Sequence, residues 1–160
     1  MITLNIKSVT DEIFALTALR AAILPEQAVD TPGVLSRDNL PALRILVRSA
    51  FTTIVTRLGR HVTDFLIEDA NPAAPQPYDE HSPVTLGIDF GPDTANLDSA
   101  ARMLIKRYLE HLLALTVLRE VYLPIDTAIA ATHTSQSTAI LNTLLTLLDT
   151  SPSTIIPTYL

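Results

Sequence analysis

The densest cluster of potential metal ligands in this 160-residue chain is Tyr78, Asp79, Glu80 and His81, and a second acidic pair, Glu68 and Asp69, lies upstream across a run that reads NPAAPQP. If the segments on either side pair as strands, the carboxylates of Glu68, Asp69, Asp79 and Glu80 approach one another, with His81 beside them. Oxygen donors of that kind suit a hard cation such as Ca²⁺ or Mg²⁺. The spacing matches no calcium loop, which needs alternating ligands, a central glycine and a terminal glutamate, and this stretch has no glycine. Glu68, Asp69, Asp79, Glu80 and His81 are therefore metal candidates that read better as a solvated acidic tip, because loops are normally polar and exposed.

The remaining chemistry is sparse. The four histidines are His61, His81, His111 and His133, and none is paired with another at metal-ligand spacing. His111 sits in an apolar helical stripe, one turn after Tyr108. With no second group visibly placed to work with it, it reads as a core or interface histidine holding a hydrogen bond rather than as a base. His61 and His133 read as surface residues. The chain has no cysteine, which removes disulfides, thiolate catalysis and Cys-ligated zinc together. Its four glycines form no phosphate loop, and neither a nucleophile elbow nor a zinc-protease helix motif is present. Asp93 and Asp98 mark helix starts. No nucleophile, base and orienting group come together, so the expectation is a protein that is not an enzyme, with no catalytic residue and no cofactor.

Composition points toward surfaces. Hydrophobic residues make up 48% and charged residues 18%, against about 25% charged in an ordinary soluble domain. Mean hydropathy is +0.31. So little charge on a small domain predicts apolar surface buried against another subunit. The net charge of −6 repels a polyanion, so nucleic acid is not an expected partner. Arg37, Arg44 and Arg48 fall near one face of a helix and read as its solvated side. No apolar run reaches the roughly 18 residues of a membrane span, and the N-terminus lacks a basic stretch followed by an apolar one. No membrane association is expected, and the expected location is the cytoplasm or an assembled virion-type particle.

The elements that must position these residues follow from periodicity. ITLNIK alternates as a half-buried strand with Ile2, Leu4 and Ile6 on one face. Thr10 is placed to cap a helix running to about Leu24, with Ile13, Leu16, Leu19 and Ile23 as its stripe. After a loop rich in proline and glycine, a strong helix is predicted from Asp38 or Asn39 to Gly59, with Pro41 in its first turn. VTDFLIED and PVTLGIDF read as two strands joined by a proline-stiffened loop. The longest helix is predicted over about Ala95 to Leu123, capped by Asp93 or Thr94. It is apolar over so much of its circumference that it must be central or shared between subunits. Asp126 caps a last helical region, in which THTSQST predicts a break or a kink because its hydroxyls compete for backbone groups. The fold class is α+β, predominantly helical with about four helices and a small three-stranded sheet, in the order β-α-α-β-β-α-α. Residues 1–150 form one domain and residues 151–160 an apolar tail that packs on something.

From Val84 to Tyr122 an alternating strand, VTLGIDFG, runs into the turn PDTANLD and then a long helix with a central tyrosine and an aromatic near its end, RYLEHLLALTVLREVY. This layout resembles small uncharacterised proteins encoded in prophages of gut bacteria, often near virion structural genes. It covers about a quarter of the chain, and the tryptophan usual late in that helix is missing here. The resemblance implies a role in virion assembly and transfers no functional residue.

The expected function is thus an assembly or interaction subunit, associating with copies of itself or with other protein subunits, in its narrower form a virion neck or tail component. The long helix offers Tyr108, His111, Leu112, Leu115 and Tyr122 as interface candidates. The tail offers Ile155, Ile156 and Tyr159. The alternatives are a small-molecule binding module with a pocket between sheet and helices, lined by Tyr108, His111 and Tyr122, and a metal-dependent enzyme at the acidic loop of residues 68–81.

Overall fold

Alternation of Ile2 and Leu4 with Thr3 and Asn5 forms strand β1 (Ile2–Asn5), and it stops two residues earlier than the pattern suggests. In this computed structural model, which describes residues 1–23, 35, 37–69, 84–91 and 97–149, the side chain of Asn5 accepts from the Lys7 N–H at 2.8 Å. That cap turns the chain directly into helix α1 (Ile6–Ile23). Ile6 is therefore helical. Thr10, expected as the cap, lies inside the helix and donates to the carbonyls of Ile6 and Lys7 at 3.1 and 2.9 Å. The buried face is Ile6, Val9, Thr10, Ile13 and Thr17, which is regular helical spacing. Leu19, assigned to the stripe from sequence, is 58% exposed instead. The two threonines disguised the phase, since each buried hydroxyl is satisfied by its own helix.

A short 3-10 turn (Arg37–Asn39) leads into α2 (Leu40–Leu58), with Pro41 in the first turn as expected. Asn39 sits at the cap position in a helical conformation, and its side chain makes no capping bond. The helix ends at Gly59, whose φ of 47° favours glycine and whose N–H returns to the Val55 carbonyl. Leu43, Val47, Ala50, Phe51, Ile54 and Leu58 are buried. Arg44 is buried with them, at 4% exposure, rather than on a solvated face. It stands three residues before Val47 and seven before Phe51, on the flank of the apolar stripe.

Strands β2 (Asp64–Asp69) and β3 (Val84–Asp89) complete a three-stranded antiparallel sheet of order β1-β3-β2. Ile2 and Leu4 pair with Ile88 and Leu86, and Phe65 and Ile67 pair with the same two residues from the other side. One face of the sheet therefore carries all six apolar side chains.

Helix α3 (Ser99–Tyr122) starts at Asp98, whose side chain accepts from the Ala101 N–H at 2.6 Å, a few residues after the predicted start. Asp93 and Thr94 lie outside the described residues. α3 packs on α1, α2, α4 and β1. Leu112, Leu113, Ala114, Leu115, Val117 and Leu118 are consequently all buried. A helix apolar nearly all round is central here. Helix α4 (Thr127–Asp149) is continuous, without the predicted break. Asp126 caps it as expected, accepting from the N–H groups of Ala128 and Ile129. The hydroxyls of Thr132, Thr134, Ser137 and Thr138 bond back to carbonyls three or four residues earlier, so they sit within the helix instead of competing with it. Ala130, Ser137 and Leu144 are buried at seven-residue intervals, a narrow seam against α3. The element order is the one expected, a predominantly helical α+β fold. The apolar tail lies outside the described residues.

Candidate functional site

The acidic pair Glu68 and Asp69 ends β2, in register with Thr85 and Val84. Asp79, Glu80 and His81 lie outside the described residues, and among those described no group of three or more His, Asp or Glu is placed to hold a metal. The interface candidates separate. Leu112, Leu115 and Tyr122 are at most 3% exposed, buried among the chain's own helices. Tyr108 is half-buried against the core. Ile155, Ile156 and Tyr159 lie outside the described residues.

Exposed apolar surface is found instead at β2. Phe65, Leu66 and Ile67 are 48%, 40% and 37% exposed. Phe65 and Ile67 stand on the core face, and Phe65 meets Phe51 of α2 edge-on at 6.5 Å. Leu66 stands on the outer face beside Gly87, over which Met1 also lies. A Cβ at Gly87 would come within 2.8 Å of the Met1 sulfur and 3.3 Å of the Leu66 Cβ, so only glycine leaves that packing undisturbed. Among the described residues no strand pairs with the outer edge of β2.

A second feature is a cleft of about 210 Å³ between α1, α3 and α4. Its apolar floor is Leu16, Leu115 and Leu118, and Arg20, His111, His133 and Gln136 stand around it. It lies among helices rather than between sheet and helices, and Tyr108 does not line it. Tyr122 does, with the Arg20 guanidinium 5.3 Å from its ring centroid and the His133 ring stacked on it at 5.8 Å. Burial pushes the Tyr122 phenol up, so it is neutral at physiological pH. His133, expected at the surface, is half-buried. Its Nδ1 is enclosed with no hydrogen-bond partner among the described residues. Burial lowers its pKa, a hydrogen bond donated by the ring to Gln136 opposes this, and the charge of Arg20 adds to the lowering.

His111 has a partner that sequence reasoning did not provide. Glu12 reaches across from α1 and contacts His111 Nδ1 at 2.5 Å. The hydrogen bond that His111 donates to Glu12 raises its pKa against the desolvation that lowers it. The signal was in the helix phase: Glu12 lies three residues after the buried Val9 and so borders the buried face of α1. His133 was also legible, since it lies three residues after Ala130 and four before Ser137 on the α4 seam. Comparison with protein-family models, with curated proteins and with solved structures found no match to this chain.

Proposed function

We propose that this chain is an interaction subunit, not an enzyme, that receives a strand of another protein along the outer edge of β2. The observation that carries the reading is the exposure of Phe65, Leu66 and Ile67 in a strand with one unpaired edge among the described residues. Such an edge offers a row of backbone donors and acceptors together with apolar side chains. Its charges specify the partner. Asp64, Glu68 and Asp69 flank the apolar centre. Antiparallel pairing with a second copy, centred between Leu66 and Ile67, would set Asp64 against Asp69 and Phe65 against Glu68. Centring it on Leu66 would set Asp64 against Glu68. Like charges directly opposite destabilise a sheet, so the partner strand is apolar with basic ends and belongs to a different subunit. A virion neck or tail component is the narrower form of this reading, supported by the resemblance of residues 84–122 to prophage-encoded proteins.

The test uses two synthetic peptides with the same alternating Val/Thr centre, one ending in lysines and one in glutamates, titrated into the full chain. Saturable binding of the basic peptide with new exchange protection at the β2 amides is expected, lost in Phe65→Lys/Ile67→Lys. Equal response to the acidic peptide, no response to either, or binding unchanged in the variant would overturn the reading. So would a stable dimer of the chain alone in light scattering that the double variant abolishes.

A further inference from the structure

We propose that the cleft between α1, α3 and α4 binds a small organic monocarboxylate, with the carboxylate held by Arg20 and a short apolar body lying on Leu16, Leu115 and Leu118. Arg20 is half-buried in the last turn of α1, where the negative end of the helix dipole favours a cation. Among the described residues no carboxylate pairs with it, and its contact is with the Tyr122 ring. A cation–π contact occupies none of the five N–H donors of a guanidinium, and their planar fork matches a carboxylate.

The charge around the cleft sets the ligand's charge. The Glu12 carboxylate is engaged by His111, and burial beside Arg20 disfavours the charged form of His133. Arg20 is the permanently charged residue of the lining, and a single guanidinium suits a monoanion better than a phosphate dianion. The three leucines ask for an apolar body. Drug-sized ligands occupy about 300–1,000 Å³, so a cleft of about 210 Å³ takes something smaller, such as one ring or a short chain.

The probes are benzoate, its neutral isostere benzamide, and inorganic phosphate, each titrated into the full chain while the imidazole signals of His111 and His133 are followed by NMR. Benzoate should shift both signals saturably and bind about tenfold more tightly than either other probe, because only it offers both a charge-assisted bond and an apolar body. Arg20→Gln should remove that preference over benzamide, and Arg20→Lys should keep part of it. Arg20 is outside the buried core, so backbone spectra of both variants should overlay the parent. Benzoate binding no tighter than benzamide or phosphate, absence of a saturable shift, or a preference that survives Arg20→Gln would each overturn the assignment. Since the cleft lies on a different set of elements from β2, none of these outcomes bears on strand addition there.

Discussion

Both edges of the sheet carry the same apolar pattern, and among the described residues only one of them is covered. On β1, Ile2 and Leu4 are 8% and 0% exposed; on β2, Phe65 and Ile67, paired to the same residues of β3, are 48% and 37% exposed. Strand composition therefore does not explain the difference. Connectivity does. β1 runs without a loop into α1, which packs back on it with Val9 and Ile13 buried, and α3 packs on β1 as well. β2 is approached from α2 through a 3-10 turn (Gly59–His61) and touches the helical layer at Phe51. Among the described residues an apolar strand is thus a core element at one edge and an exposed one at the other, according to the element joined to it in the chain.

The strongest way to break this comparison is to truncate matched residues. Leu4→Ala should cost about 2–5 kcal/mol in denaturant unfolding, as expected for a fully buried leucine whose cavity cannot collapse. Phe65→Ala should cost roughly 1–2 kcal/mol despite removing a larger side chain, because about half of it is already in water. If the two costs are equal, β2 is covered and strand addition at that edge is wrong. If Phe65→Ala is the smaller and Phe65→Lys is also tolerated, the edge is free.

The same contrast shows what could be read from the sequence. Alternation in β1 and β3, the stripe of α2 with its stop at Gly59, and the overall element order follow from period and caps, which are local. The phase of α1 and the continuity of α4 were missed for one physical reason. Thr10, Thr17, Thr134 and Ser137 look like helix-averse polar residues, yet each hydroxyl bonds to a carbonyl of its own helix, which lets Thr10, Thr17 and Ser137 be buried. The burial of Arg44 and the exposure of Phe65 are not local properties at all. They depend on where the helical layer ends, and nothing in either segment encodes that. The cleft falls between these cases: its residues lie on recognisable helix faces, while the pairing of Glu12 with His111 joins positions 99 residues apart.

That pairing ties α1, the element that covers β1, to α3, and pH reads it out. His111 has its pKa raised by the Glu12 hydrogen bond, so its contribution to stability is complete below the ordinary 6.5 and is lost as pH rises through the higher folded value. His133 has its pKa lowered by burial, so its contribution is present above 6.5 and lost as pH falls through the lower folded value. Glu12→Gln should remove the alkaline-side loss and leave the acid-side loss unchanged in melts recorded across this range. In NMR titration His111 should move down in pKa while His133 stays. If both histidines move together, the two sides of the cleft are coupled and α1 is held less independently than its contacts indicate.

The smallest effect is expected at the other tie, where Arg60 Nη2 lies 2.9 Å from the Asp149 carboxylate and His61 Nε2 3.4 Å from it. It joins the end of α4 to the turn just before β2, so it is the one described charge contact that could brace the uncovered edge. Two physical effects oppose each other there. The exposed ion pair, with side chains 79% and 50% accessible, is worth about 0.2–1 kcal/mol. An acid in the last turn of a helix loses about 0.3–1 kcal/mol to the dipole. Asp149→Asn should therefore change stability by less than about 0.5 kcal/mol in either direction, with the difference shrinking further in high salt. A loss above about 1 kcal/mol that persists in salt would mean that α4 anchors β2 through this contact. The two edges of the sheet would then differ in how they are held rather than in whether they are.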